Sequence, residues 1–235
     1  MKTKFTDLRQ QVLDANRALS DRGLAPFTFG NASAVDRGAG AVAIKPSGVA
    51  YADLTADDLV VVDLDGGVIE GLRRPSSDLA THLALYRAFP MVGGVAHAHS
   101  HYATAWAQAG RDIPCVGTTH ADHFHGAVPV IGFLRESEVV GEYEANTGHA
   151  IVRRFIGTDP MQTPAVLVAG HASFCWGLSV ADAVDTMSIL EEVARLAFDT
   201  LMINADTAPI PDHLRDKHFL RKHGPGAYYG QPKGK

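Results

Sequence analysis

Val92-Gly93-Gly94-Val95-Ala96-His97-Ala98-His99-Ser100 is the stretch from which the fold of this chain can be read. A short apolar run punctuated by glycines predicts a buried strand over 92–99. Successive side chains leave a strand on opposite faces, so His97 and His99 share one face while Ala96 and Ala98 occupy the other. Alanine side chains on that second face suit a strand covered by packed elements. Two imidazoles on one face suit two ligands of one cation, at nitrogen–metal distances of about 2 Å. They suit equally two partly buried histidines bonded to their neighbours. The pattern after Ser100 becomes helical over 101–109, which leaves His101 out of the pair.

Working outward, Leu8, Val12, Ala15 and Leu19 recur at helical spacing, and Gly23 ends that helix. Strand-like runs follow at 28–35, 41–44 and 59–64, the last turning through Asp65-Gly66-Gly67 into Val68 and Ile69. Ser76 and Ser77 are N-cap candidates for a helix over 78–88, which Pro90 stops. A second buried strand is expected at 164–170 and the longest helix at 181–203, with Val184, Met187, Leu190, Ala194, Ala197 and Leu201 on one stripe. A short helix at 213–222 ends at Gly224-Pro225, before an irregular tail whose last residues, 232–235, are expected to be disordered. Without repeats or linkers, residues 1–235 read as a single α/β domain with a mainly antiparallel sheet and interspersed helices.

Bulk composition narrows the function. A net charge of −5 gives no general attraction to nucleic acid or anionic membranes, and the basic run Arg215, Lys217, Arg221, Lys222 is local. No apolar run approaches the roughly 18 residues of a membrane span, and the N-terminus lacks a signal-peptide core. Cys115 and Cys175 are too few for a disulfide framework, so a cytoplasmic location is expected. The unusual number is 12 histidines, several in clusters.

Further residues extend the chemistry. His171 follows the apolar run 166–170, and Asp78 follows Ser76-Ser77 at a helix start. Asp78 alone reads as a carboxylate favoured by the helix dipole; an oxygen ligand from it beside His97, His99 and His171 would make a set suited to zinc or manganese. Lys45-Pro46-Ser47-Gly48 and Pro75-Ser76-Ser77 combine a lysine, hydroxyls and a helix N-terminus, the parts of a phosphate cradle, with Asn31 as a further donor. Asp122, Glu144, His218 and Tyr229 are candidate acid–base groups whose roles spacing does not assign. Gly38-Ala39-Gly40-Ala41-Val42-Ala43 imitates a dinucleotide fingerprint but precedes a strand instead of opening a helix, so no nicotinamide cofactor is expected.

The ordered motifs 30–36, 44–49, 54–62, Pro75-Ser76-Ser77-Asp78, His97-Ala98-His99-Ser100, 117–122, 141–144, 217–224 and 227–231 resemble, along nearly the whole chain, the L-ribulose-5-phosphate 4-epimerases of the class II aldolase superfamily. The resemblance implies a class II aldolase-like α/β/α domain and one divalent metal, zinc before manganese, bound by Asp78, His97, His99 and His171. It implies phosphate contacts from Lys45, Ser47, Gly48, Ser76 and Ser77 with Asn31 nearby, and support from Thr118, Glu144, His218 and Arg221. Asp122 and Tyr229 would be the acid–base pair, the tyrosine reaching a neighbouring subunit's site in a homotetramer. The implied reaction interconverts L-ribulose 5-phosphate and D-xylulose 5-phosphate at C4, by retro-aldol cleavage and re-addition through a metal-bound enediolate. Aldol cleavage of a sugar 1-phosphate and epimerisation of L-xylulose 5-phosphate are the alternatives. Two departures stand out: Ala172-Ser173 follow His171 where Gly-Pro is usual, and His123 replaces a tyrosine beside Asp122.

Overall fold

The computed structural model describes residues 4–229, so the expectation for 232–235 lies outside the described residues. One eight-stranded sheet runs in the order β4-β3-β2-β1-β5-β8-β7-β6. Its strands are β1 (Gly30–Asp36), β2 (Ala41–Ile44), β3 (Val60–Asp63), β4 (Val68–Glu70), β5 (Gly94–Ala98), β6 (Val130–Ile131), β7 (Ala165–Val168) and β8 (Ser173–Gly177). All neighbours pair antiparallel except β6 with β7, which fits the mainly antiparallel expectation. The glycine-rich decoy forms the turn from β1 into β2 and opens no helix.

The alternation read from the opening stretch holds. Ala96 and Ala98, with Ala32 and Ala34 of β1, pack into the core beneath helices α1 (Thr6–Asp21), α3 (His101–Gln108) and α7 (Val180–Ile203). Val95, with Phe174 and Trp176 of β8, faces the other core, under α2 (Leu79–Ala88) and α6 (Tyr143–Arg154). Helices therefore cover both faces, in the α/β/α arrangement. The other α-helices among the described residues, α4 (Thr118–Ala121), α5 (Glu136–Val140) and α8 (Asp212–His223), lie outside these layers, and α8 packs on α4.

Close approach explains the glycines beside β5. A Cβ on Gly93 would lie 2.0 Å from the Leu178 carbonyl oxygen, and one on Gly94 would lie 2.2 Å from the Val180 Cα. The start of α7, capped by Ser179 accepting from the Asp182 N–H, therefore rests directly on the strand backbone. One local expectation needs correcting. Neither Ser76 nor Ser77 is the N-cap of α2; that place is taken by Asp78, whose side chain makes no cap hydrogen bond. The carboxylate turns across to β1 instead.

Candidate functional site

His97 is on β5, aligned with Asn31 of β1 and Phe174 of β8, and is 2% exposed. His99 lies one residue past the strand end, its backbone N–H donating to the Phe29 carbonyl at 3.3 Å. His171 is carried by the turn between β7 and β8, where Gly170 takes a left-handed φ of 70° and Val168 N–H donates to the Ala172 carbonyl at 2.8 Å. These three segments bring the ring centroids to 5.1, 5.0 and 5.0 Å of one another. One nitrogen from each ring lies within 4.8 Å of the others. Donors sharing a cation at about 2 Å sit at most about 4 Å apart, so small side-chain rotations would converge the trio.

The ring of His97 is held from behind. Its Nδ1 donates to the Ser173 carbonyl at 2.9 Å, and Phe174 stacks on it at 4.3 Å, which leaves Nε2 as the lone pair available to a metal. Because a backbone carbonyl accepts this bond, Ser173 meets the requirement without the proline usual there. Burial is the main cause that lowers the pKa of all three rings, that of His171 to about 4. They thus present lone pairs at neutral pH without having to lose a proton.

Asp78 lines the same hollow but does not belong to the group of mutually close ligand atoms. Its Oδ2 accepts from Asn31 Nδ2 at 2.6 Å and from Ser76 Oγ at 3.5 Å. Burial would raise its pKa; the imidazoles of His97 and His82 and the Asn31 amide outweigh that and hold it low. The charged form is therefore the one presented to the hollow.

The hollow, ≈ 340 Å³, is also lined by Lys45, Ser47, Gly48, Ser76 and Ser77. Two loops build this end as one unit: Ser47 N–H donates to the Arg74 carbonyl and Ser76 N–H to the Lys45 carbonyl, each at 3.0 Å. Lys45 is 2% exposed, yet among the described residues its ammonium meets the Pro46 carbonyl at 3.4 Å and the Tyr51 ring at 5.0 Å, and no carboxylate. Burial lowers its pKa. A buried ammonium without a carboxylate partner is costly unless an anion joins it.

None of Asp122, Tyr229, Thr118, Glu144, His218 or Arg221 lines that hollow. Most of them gather where α8 packs on α4. Arg221 holds Asp122 with both ends of its guanidinium, at 2.8 and 2.6 Å, and His218 Nδ1 lies 3.0 Å from Asp122 Oδ1. Burial would raise the Asp122 pKa, but the bonds from Arg221 and His218 pull it below the usual carboxylate range. Tyr229, 58% exposed, lies against Arg221, with 4.7 Å from the guanidinium carbon to the ring centroid. Thr118 opens α4, and Glu144 is in the first turn of α6, its carbonyl accepting from Thr81 at 2.6 Å.

Residues 10–198 match the model of the family described as Class II Aldolase and Adducin N-terminal domain. The chain belongs to this class II aldolase family. Curated relatives agree: it is 56% identical over 224 residues, 95% of this chain and 98% of the other, to the L-ribulose-5-phosphate 4-epimerase UlaF of Salmonella paratyphi A, and equally to that of Salmonella typhi. Among solved structures, an L-fuculose 1-phosphate aldolase superposes with TM-score 0.78 at 26% identity, covering 93% of this chain and 96% of that one. The L-fuculose-1-phosphate aldolase of Thermus thermophilus gives 0.67 at 25%, covering 85% and 97%.

In this member of the class II aldolase family, two neighbours of the histidine trio carry no signal in the local sequence. Tyr143, the first residue of α6, places its hydroxyl 3.4 Å from His171 Nδ1. It stood only as one letter of the 141–144 motif, because a helix-start tyrosine has no local mark of its target. His82, fully buried one turn after Asp78, meets Ser33 Oγ at 2.7 Å, and Tyr86 meets the same hydroxyl at 2.8 Å. This polar seam fixes α2 against β1. Partners of this kind orient metal-binding histidines, and their loss typically costs about 10- to 100-fold in affinity. Tyr143→Phe is accordingly expected to weaken divalent-cation binding about tenfold with little change in melting temperature. Chelator competition checks this; an unchanged dissociation constant would free Tyr143 of the role.

Proposed function

We propose that the protein is a metal-dependent L-ribulose-5-phosphate 4-epimerase, interconverting that sugar and D-xylulose 5-phosphate. The observation that carries this reading is the placement of Lys45: a buried ammonium with weak contacts among the described residues, on the hollow that also holds the three histidines. One end of the hollow is thus suited to a phosphate and the other to a cation and the reacting oxygens. The name carried by relatives 56% identical supports the choice of reaction.

The donor set fits one divalent cation. Asp78, His97, His99 and His171 would hold it, and three nitrogen ligands favour zinc over manganese. When bound, such a cation would supply Lewis acidity, stabilising negative charge on the oxygens of the three-carbon half. The need for that bond to break follows from the sugar: the hydrogen on C4 is not next to the carbonyl, so its direct removal has no electron sink.

The protein's own groups handle phosphate and protons. Lys45, Ser47, Gly48, Ser76 and Ser77, with Asn31 beside them, would grip the phosphate so that the glycolaldehyde phosphate half stays bound while its carbonyl turns over. One of Asp122 and Tyr229 takes the proton of the C4 hydroxyl as the C3–C4 electron pair moves into the three-carbon half. After rotation, carbon–carbon bond formation restores the ketose, and the other group gives a proton to the C4 oxygen on the opposite face. Because these two groups lie off the hollow of their own chain, they would serve a neighbouring subunit, with Thr118, Glu144, His218 and Arg221 in support. Sites between subunits of a homotetramer formed by this single domain, 1–235, and a cytoplasmic location complete the reading; no described helix is long and apolar enough to cross a membrane.

Metal analysis coupled to a C4-epimerisation assay with L-ribulose 5-phosphate tests the proposal. Net aldehyde release from a ketose 1-phosphate would make the protein an aldolase, and turnover confined to L-xylulose 5-phosphate would move the substrate. Lys45→Met is expected to raise KM by roughly one to two orders of magnitude, the worth of a charge-assisted hydrogen bond, without lowering the melting temperature. Steady-state kinetics decides this: an unchanged KM would remove Lys45 from phosphate binding.

A further inference from the structure

His123, which stands beside Asp122 where a tyrosine is usual, is in contact with Lys222. Lysine can only donate, so the 3.2 Å contact between Lys222 Nζ and His123 Nε2 makes the imidazole the acceptor. Burial, and after it the charge of Lys222, push the His123 pKa down to about 4, which keeps that lone pair available at neutral pH. The same ammonium lies 4.6 Å from the centre of the Tyr229 ring and 4.0 Å from Asp122 Oδ2. Arg221 grips the ring as well as Asp122, and its carbonyl accepts from the N–H groups of Tyr228 and Tyr229 at 3.0 and 3.1 Å.

We infer that Lys222, steered by His123, is a positioning residue that sets the Tyr229 ring relative to the Asp122 carboxylate. A cation within about 6 Å of an aromatic centre is attracted to the ring's electron-rich face, and two such cations leave it little freedom to swing. A lysine on its flexible four-carbon stem does this only if something fixes its end, and the His123 lone pair does so. Lys222 thereby couples α4, through His123, to the chain that follows α8. The inference rests on the reading of Asp122 and Tyr229 as the proton-transfer pair.

Lys222→Met, His123→Phe and His123→Gln separate the possibilities, because a glutamine amide can accept near the place of Nε2 and phenylalanine cannot. Two readouts are needed: kcat against KM, and backbone hydrogen exchange, read by mass spectrometry, of the peptide carrying Tyr228 and Tyr229. In the metal-loaded protein, Lys222→Met and His123→Phe are expected to lower kcat about tenfold, to keep KM within about twofold, and to speed exchange of that peptide. His123→Gln should restore both. Wild-type exchange and kcat in Lys222→Met would overturn the inference, as would a loss of kcat with exchange unchanged, or faster exchange with kcat intact. Equal defects in His123→Gln and His123→Phe would remove His123 from it. Should Asp122→Asn and Tyr229→Phe both turn over normally, the pair itself fails, whereas the exchange readout still reports whether Lys222 holds the tail.

Discussion

His97→Asn is expected to lose its divalent cation and its turnover together, with cation content falling from about one per subunit towards zero and kcat/KM falling by at least about a thousandfold. The substitution is chosen for what it keeps. An asparagine amide sits near the position of the imidazole Nδ1 and can still donate to the Ser173 carbonyl, which His97 meets at 2.9 Å. What disappears is Nε2, the lone pair turned from that bond. The pocket wall formed by Phe174 and the neighbouring strands remains, so circular dichroism should report a folded chain. This effect should exceed that of Tyr143→Phe by far, because on the proposed reading one change removes a ligand and the other only a ligand's support. Full cation retention in His97→Asn would undo the assignment of the trio.

Asp122→Asn and Tyr229→Phe should behave in the opposite way. Each is expected to leave about one cation per subunit while depressing kcat by roughly 10²- to 10⁴-fold, the range for loss of a positioned proton-transfer group. The separation of the two clusters supplies a sharper experiment. If the hollow of one chain is served by Asp122 of another, mixing inactive His97→Asn chains with inactive Asp122→Asn chains should restore activity. Random assembly in a cyclic oligomer puts an intact hollow beside an intact Asp122 at about a quarter of the sites. Sites complete within one chain would yield none, and a mixture that stays inactive after subunit exchange would refute the shared site.

Much of this was legible because it is local. The alternation in Val92–His99 depends only on the pleat, and it correctly separated Ala96 and Ala98 from His97. The stripe on α7 and the Asp65-Gly66-Gly67 hairpin are likewise properties of a few turns or residues. Other elements lacked such a mark. Residues 173–177, Ser-Phe-Cys-Trp-Gly, show no alternation because β8 is buried on both faces, so the local sequence does not mark the strand. Helix α6 was obscured partly by Gly148, which weakens a helical pattern. The structure shows its reason: a Cβ there would meet the Ala84 Cβ at 2.6 Å, so the glycine lets α6 lie close against α2.

Taken by itself, the sequence determined the residue types of the site, the face on which His97 lies and the layered α/β architecture, since each follows from side-chain chemistry and short-range periodicity. Tertiary structure decided which of them meet. β8 falls beside β5 through a pairing of segments some 76 residues apart, and that pairing delivers both His171 and the Ser173 carbonyl to His97. It also turned Asp78 from the helix end to Asn31 and set Asp122, His218 and Arg221 together away from the hollow. Local sequence cannot encode such meetings singly, because the free energy that selects them is the burial of whole faces of sheet and helix, summed over the chain.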